Sequence, residues 1–227
     1  MSDAIPLVAR IRSDLKPLEA RIRGHAYLNA LEEHSVHPES LKVFVGQQHH
    51  VISSDLRSIA LILSRQGMLP SRRFWINVLQ GEAAALDALH ALAGTVGLEP
   101  SDLEVFEPLP AAHAYRTFVA WLALYGSDAE LVGALLVNFR TWGACCHRMR
   151  KALHQKYDMA PSALAFFDLF ADMPSFENEA LSILQNGLDR GIPERLIHRA
   201  ARMLQGYELM FWDAMARAAG VPLHGES

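Results

Sequence analysis

Apolar residues return every three or four positions through almost the whole of this chain, and no stretch alternates them one by one as a half-buried strand would. A chain patterned this way buries itself by packing helix on helix. The period is sharpest over 192–219, where Leu196, Ala200, Met203, Leu204, Tyr207, Phe211 and Met215 share one side of a helix opened by Pro193-Glu194 and stopped by Gly220. Glu208 falls one turn after Leu204 and about one turn before Phe211, so its carboxylate points along the buried side. A buried carboxylate must either gain hydrogen-bond donors or keep its proton to higher pH, and both states suit a working acid or base. Spacing alone leaves open a plainer reading, an edge glutamate that reaches water or an arginine.

The earlier segments follow the same rule. Residues 3–33 carry a helical stripe in which Pro17 can kink or restart the helix. His37-Pro38-Glu39 opens a second helix running to about Arg65, and Gln48 and Asp55 lie within its apolar face. A third runs from Leu69-Pro70-Ser71 to Gly94–Gly97, and the acidic, proline-containing stretch 98–110 is a crossover with room for one short helical turn. A fourth spans about 110–126. Ser127 to Glu130 is a capping box that starts a fifth helix continuing to about Tyr157. There Leu131, Leu135, Asn138, Trp142, Cys145, Met149 and Leu153 form a seam interrupted by one amide, which can hold either a neighbouring helix or a ligand. Shorter helices over Pro161–Ala171 and from Pro174-Ser175 to Gly187 complete the set, and 221–227 reads as a loose tail.

The expectation is an all-α, single-domain helical bundle of seven to eight helices spanning 1–227, with room for a pocket between facing helices. A length of 227 residues, 51% of them hydrophobic, supports one sizeable core. The formal net charge of −4, with its basic residues scattered, argues against nucleic acid as a partner. No apolar run approaches the length of a membrane span and no leader-like segment opens the chain, so a cytoplasmic protein with no membrane partner is expected. Cys145 and Cys146 are sequence neighbours, which makes a disulfide between them strained.

Motifs for metal and phosphate chemistry are missing from the sequence. A di-iron bundle needs repeated Glu-x-x-His pairs, and Asp87-x-x-His90 is one short-armed approximation without a second copy. His49 and His50 diverge by about 100° on a helix and cannot face one metal. No metal is expected. Neither a glycine-rich phosphate loop nor a Gly-x-Ser-x-Gly elbow is present.

Several segments, taken in order, resemble the TenA/THI-4/PqqC group with its haem-oxygenase-like fold. His25-Ala26-Tyr27 followed by Phe44 and Gln47-Gln48 is similar to its His-Pro-Phe and Tyr-x-x-Gln-Asp pattern. Ala114-Tyr115-Arg116 falls on the helix that carries a pocket tyrosine, and Ala134 to Asn138 falls where the group has Ala-x-Leu-Pro-Cys. Phe166 to Phe176 is similar to its Trp-x-x-x-Tyr and Phe segment, and Glu208-Leu209-Met210-Phe211-Trp212 to its closing Glu-x-x-Phe-Trp. The likeness covers about 24–216 and rests on order and spacing.

In the thiaminase-type members a cysteine attacks an aminopyrimidine, an aspartate holds its amino edge and the late glutamate moves protons. Carried over by position, the glutamate is Glu208 and a tyrosine is Tyr115, but the aspartate is Gln48, the cysteine is Asn138 and a pocket tyrosine is Phe170. Cys145 lies about 10 Å along the helix from Asn138 and cannot stand in. Trp142-Gly143-Ala144 occupies the place of a glycine-rich haem-contacting bend, and His25 is a candidate axial ligand on that likeness alone. The resemblance thus implies a divergent member, a homodimer or homotetramer, whose pocket takes a small planar heterocycle without a cofactor. Gln48, Tyr115, Asn138, Trp142, Phe170 and Tyr207 would bind, and Glu208 would transfer the proton. A thiaminase-type hydrolase of thiamin salvage, a non-catalytic scaffold and a haem-binding relative are the alternatives.

Overall fold

The computed structural model describes residues 3–65 and 69–223; positions 224–227 of the expected tail lie outside them. Among the described residues every regular element is helical. Two helices, α1 (Ala4–Arg23) and α2 (Ala26–Glu32), replace the single N-terminal stripe. Pro17 is accommodated inside α1, and the break falls instead at Gly24, which caps α1, and His25, whose Nδ1 accepts the Tyr27 N–H at 3.2 Å to start α2. Helices α3 (Ser40–Arg65) and α4 (Leu69–Thr95) run as the periodicity predicts, and the crossover holds one short helix, α5 (Pro100–Glu104). After α6 (Pro110–Tyr125), Ser127 and Glu130 form the capping box that opens α7 (Asp128–Lys156). A 3₁₀ turn over Pro161–Leu164 leads to α8 (Ala165–Ala171), followed by α9 (Glu177–Asp189) and α10 (Glu194–Ala218). The helix count exceeds the expected seven to eight because short segments separate where a continuous stripe had been read.

Helix α7 is the axle. Every residue from Asp128 to Asn138 is buried, because α1, α2, α8, α9 and α10 all pack on it, so its first turns have no solvent face at all. Gly143, inside the unbroken α7, seats α8: a Cβ there would stand 2.7 Å from the Phe170 carbonyl oxygen. That close approach fixes where Phe170 enters the interior. The helix runs through Gly143 without interruption.

The apolar interior divides into two clusters stacked along the bundle. One gathers Phe44, Ile52, Leu89, Met149, Phe166 and Trp212; the other gathers Ile59, Trp75, Val119, Leu135, Leu184 and Leu204. Five helices bring polar groups together: Asp55 on α3, Glu82 on α4, Tyr115 on α6, Asn138 and Thr141 on α7, Gln205 and Glu208 on α10. All but the partly exposed Tyr115 are buried. A polar layer inside an apolar bundle loses hydration unless its members satisfy one another, so its hydrogen bonds decide what it is for.

Candidate functional site in the polar layer

On the α7–α10 side the layer is fully wired. The Tyr115 hydroxyl donates to Asn138 Oδ1 at 2.9 Å, and Asn138 Nδ2 donates to Glu208 Oε2. Trp212 Nε1, one turn beyond on α10, donates to Glu208 Oε1 at 3.2 Å. Gln205 Nε2 donates to Thr141 Oγ1 at 2.8 Å and braces the α7 side of the network. Burial pushes the Glu208 pKa up to about 8, against the opposing pull of the Trp212 and Asn138 donors. Burial thus shifts Glu208 towards its protonated form, and an N–H orients each carboxyl oxygen.

The α3–α4 side is different. Asp55 and Glu82 are each 7% exposed, and no hydrogen bond or ion pair to either carboxyl exists among the described residues. Asp55 Oδ1 is buried without a partner. Burial, and then the neighbouring Glu82 charge, hold the Asp55 carboxyl well above the usual range, and burial raises Glu82 to about 7. The same charges, after burial itself, push the Tyr115 phenol upward, so it stays neutral as a donor.

A cavity of about 40 Å³ joins these two sides, lined by Gln48, Asp55, Glu82, Tyr115, Asn138 and Glu208 with walls of Trp142, Phe139, Phe170 and Phe211. Trp142 meets Phe170 and Phe211 edge-on, at ring separations of 5.9 and 6.2 Å. Such a volume takes about three water molecules, at about 10–15 Å³ each. Phe139, Phe170 and Glu82 also border an open cleft of about 430 Å³ between α4 and the α8–α9 connection. The two phenylalanines form the partition.

Six of the seven sequence-predicted residues, Gln48, Tyr115, Asn138, Trp142, Phe170 and Glu208, come together here. Tyr207 does not. It packs on Phe118, with ring centroids 5.3 Å apart, in a surface groove that also holds Met203. One residue of helix turns about 100°, so the side of α10 that buries Glu208 necessarily carries Tyr207 away from it. The buried face keeps Ala200, Leu204, Phe211 and Met215 of the predicted stripe and adds Ile197, Ala201, Gln205, Glu208 and Trp212, so its centre is turned away from Met203 and Tyr207. Glu82 and Phe139 escaped the sequence reading; Glu82 had a signal, sitting in the α4 stripe between Val78 and Leu86.

Residues 12–218 match the model of the TENA/THI-4/PQQC family. The chain belongs to that family. No curated protein matches it. Among solved structures it is similar to a TenA homologue from Pseudomonas syringae pv. tomato, at 14% identity and TM-score 0.81, covering 92% of each chain. A TenA homologue from P. horikoshii follows at 19% identity and TM-score 0.74, covering 93% of this chain and 99% of that one. Haem oxygenase-1 from the cyanobacterium Synechocystis, solved with haem, aligns at 14% identity and TM-score 0.67 over 94% of this chain and 92% of its own. These likenesses establish the haem-oxygenase-like, all-helical TenA fold.

Within that fold, a thiol nucleophile and axial haem ligation both meet poor conditions in this chain. Cys145 and Cys146 are buried outside the cavity, and burial pushes both thiols upward, away from the nucleophilic thiolate. His25 is a poor axial haem ligand because its Nδ1 caps α2 and its Nε2 lies 3.0 Å from Asp213 Oδ1. Asp87 and His90 are exposed, and among the described residues no cluster of three metal-ligating side chains occurs.

Proposed function

We propose that this TenA-family protein binds a small planar heterocyclic metabolite in the polar-layer pocket, and that Glu208 gives a proton to it without a covalent step or a cofactor. The observation that carries the reading is Glu208 itself: a buried carboxyl fixed by Asn138 and Trp212 at the wall of an aromatic cavity, where burial raises its pKa. Such a group is a ready general acid, and positioned proton transfer contributes about 10²–10⁴ in rate. The Gln48 amide offers a donor and an acceptor to a ring edge, while Trp142, Phe170 and Phe211 supply faces and edges for stacking. A ring larger than the present cavity is admitted by turning Phe170 and Phe139 aside, which merges the inner space with the cleft. The same reading includes assembly into a homodimer or homotetramer, which sedimentation measures.

Thermal-shift screening against aminopyrimidines, thiamin fragments, quinones and haem tests the proposal. A ligand at a hundredfold excess over its Kd stabilises by about 2.7 kcal/mol. The reading fails if no heterocycle binds and Glu208→Gln raises stability, since an idle buried acid is better removed. Retention of both Glu208 and Tyr115 in one hydrogen-bonded chain favours a second reading, a hydrolase of thiamin salvage in which water replaces the thiol. Hydrolysis of an aminopyrimidine substrate, lost in Glu208→Ala, would select it.

A further inference from the structure

The α3–α4 side of the pocket is not needed to position Glu208, whose donors all come from α7 and α10. Nor does it hold the fold together. Asp55 and Glu82 form no hydrogen bond or ion pair among the described residues, although each is more than nine-tenths buried. Arg116, whose charge acts on Asp55, is engaged elsewhere: it donates to His113 Nδ1 at 2.7 Å and to the His50 carbonyl at 3.2 Å. Two acids lining one cavity in an apolar interior repel whenever both ionise, so burying them costs stability, which the Arg116 charge returns to Asp55 only in part. Asp55 Oδ1 has no partner at all, and both residues border the cavity. A donor arriving with the ligand would satisfy them, and one that carries positive charge would also relieve the repulsion.

The space supports a specific size. About 40 Å³ is too small for a ring but suits a group of a few heavy atoms, and Glu82 also borders the larger cleft. We propose that Asp55 and Glu82 form a subsite for a compact cation, an ammonium or amidinium group borne by the ligand, while the ring lies against the Phe139–Phe170 partition. This rests on the pocket reading above and narrows it: the metabolite is a planar heterocycle with a protonated nitrogen substituent, not an anion or a neutral quinone.

Calorimetry with acetamidinium and methylammonium chloride, against neutral acetamide and sodium acetate at matched ionic strength, tests the subsite directly. Acetamidinium should bind the native chain and weaken by about tenfold or more in Asp55→Asn and in Glu82→Gln, as loss of a charge-assisted hydrogen bond requires. Tyr207→Phe, in the outer groove, should change it by less than about threefold. Equal binding of acetamide, or undiminished acetamidinium binding in the Asp55 and Glu82 variants, overturns the proposal. So does a fall in the melting temperature of unliganded Asp55→Asn, which would make the pair structural; the expected result is a temperature equal to or above the native one. Heterocycles that bind through Glu208 with no preference for an amino substituent would leave the pocket reading intact and remove the subsite. Acetamidinium binding through Asp55 and Glu82 with no heterocycle bound would do the reverse.

Discussion

Glu208 and the Asp55–Glu82 pair border the same cavity and are buried to nearly the same extent, at 2% against 7% exposure each, yet only Glu208 is supplied with donors. The difference separates two uses of a buried acid. Glu208 is held in one orientation by Asn138 and Trp212, which is what proton delivery to a fixed point demands. Asp55 and Glu82 are left wanting a partner, which is what recognition of an incoming donor demands. Burial is the largest cause raising all three carboxyls, so the hydrogen bonds, not the pKa directions, tell the two sides apart.

The largest effect expected from breaking this contrast lies on the wired side. With whichever heterocycle the screen identifies as a substrate, Glu208→Ala should lower kcat by about 10²–10⁴, the loss of one positioned acid. Asp55→Asn should instead raise KM for a ligand with a cationic substituent and leave kcat nearly intact. Steady-state kinetics on the two variants distinguishes the roles. Equal kcat losses in both would merge the two sides into one catalytic unit.

Stability should respond in opposite directions. Asn138→Ala removes partners from Tyr115, Glu208 and Gln205 at once and should cost about 3 kcal/mol in urea unfolding, since buried groups left unsatisfied carry their full desolvation penalty. Asp55→Asn should stabilise the unliganded protein by about 1 kcal/mol at pH 8. The gain has a pH signature. A carboxyl whose folded pKa lies above its unfolded value stabilises fully below about 4.5, and that contribution is lost as pH climbs to about 7 for Glu82 and about 8 for Glu208. Native stability should therefore decline between pH 5 and 8, and decline less in Asp55→Asn, which removes one of the three raised carboxyls.

Much of this architecture was legible in advance, because short-range chemistry decides it. Ser127 and Glu130 announce a helix start through their reciprocal hydrogen bonds, and Gln48 and Asp55 share an apolar face because seven residues make about two turns. The break at Gly24–His25 was obscured by Pro17, since a proline in α1 was tolerated while a glycine cap and a histidine N-cap ended and restarted the chain. Spacing from Met203 and Phe211 predicts Tyr207 on the apolar side. Only the packing of α6 and α7 on α10 fixes the rotation that buries Glu208 and Gln205 and leaves Tyr207 in the outer groove. Glu82 lay within the same kind of apolar stripe that identified Glu208, but that it meets Asp55 is a fact of how α3 packs on α4, which no local pattern carries.

Cysteine offers the smallest expected effect, and the one that most sharpens the contrast. If a thiol supplied a nucleophile, chemistry would belong to neither side of the polar layer and the division of labour proposed for the three acids would collapse. Cys145 is fully buried, with its Sγ directed at the Ile22 carbonyl 4.0 Å away, and burial pushes its thiol further from ionisation. Cys146 is likewise closed in and raised. Replacing either by alanine should cost about 1 kcal/mol in stability for the small void left behind. Turnover should stay within about twofold of native, because neither sulfur borders the cavity. Iodoacetamide should label the native protein slowly at both sites, as mass spectrometry would record, and fast labelling accompanied by inactivation would return the chemistry to a thiol.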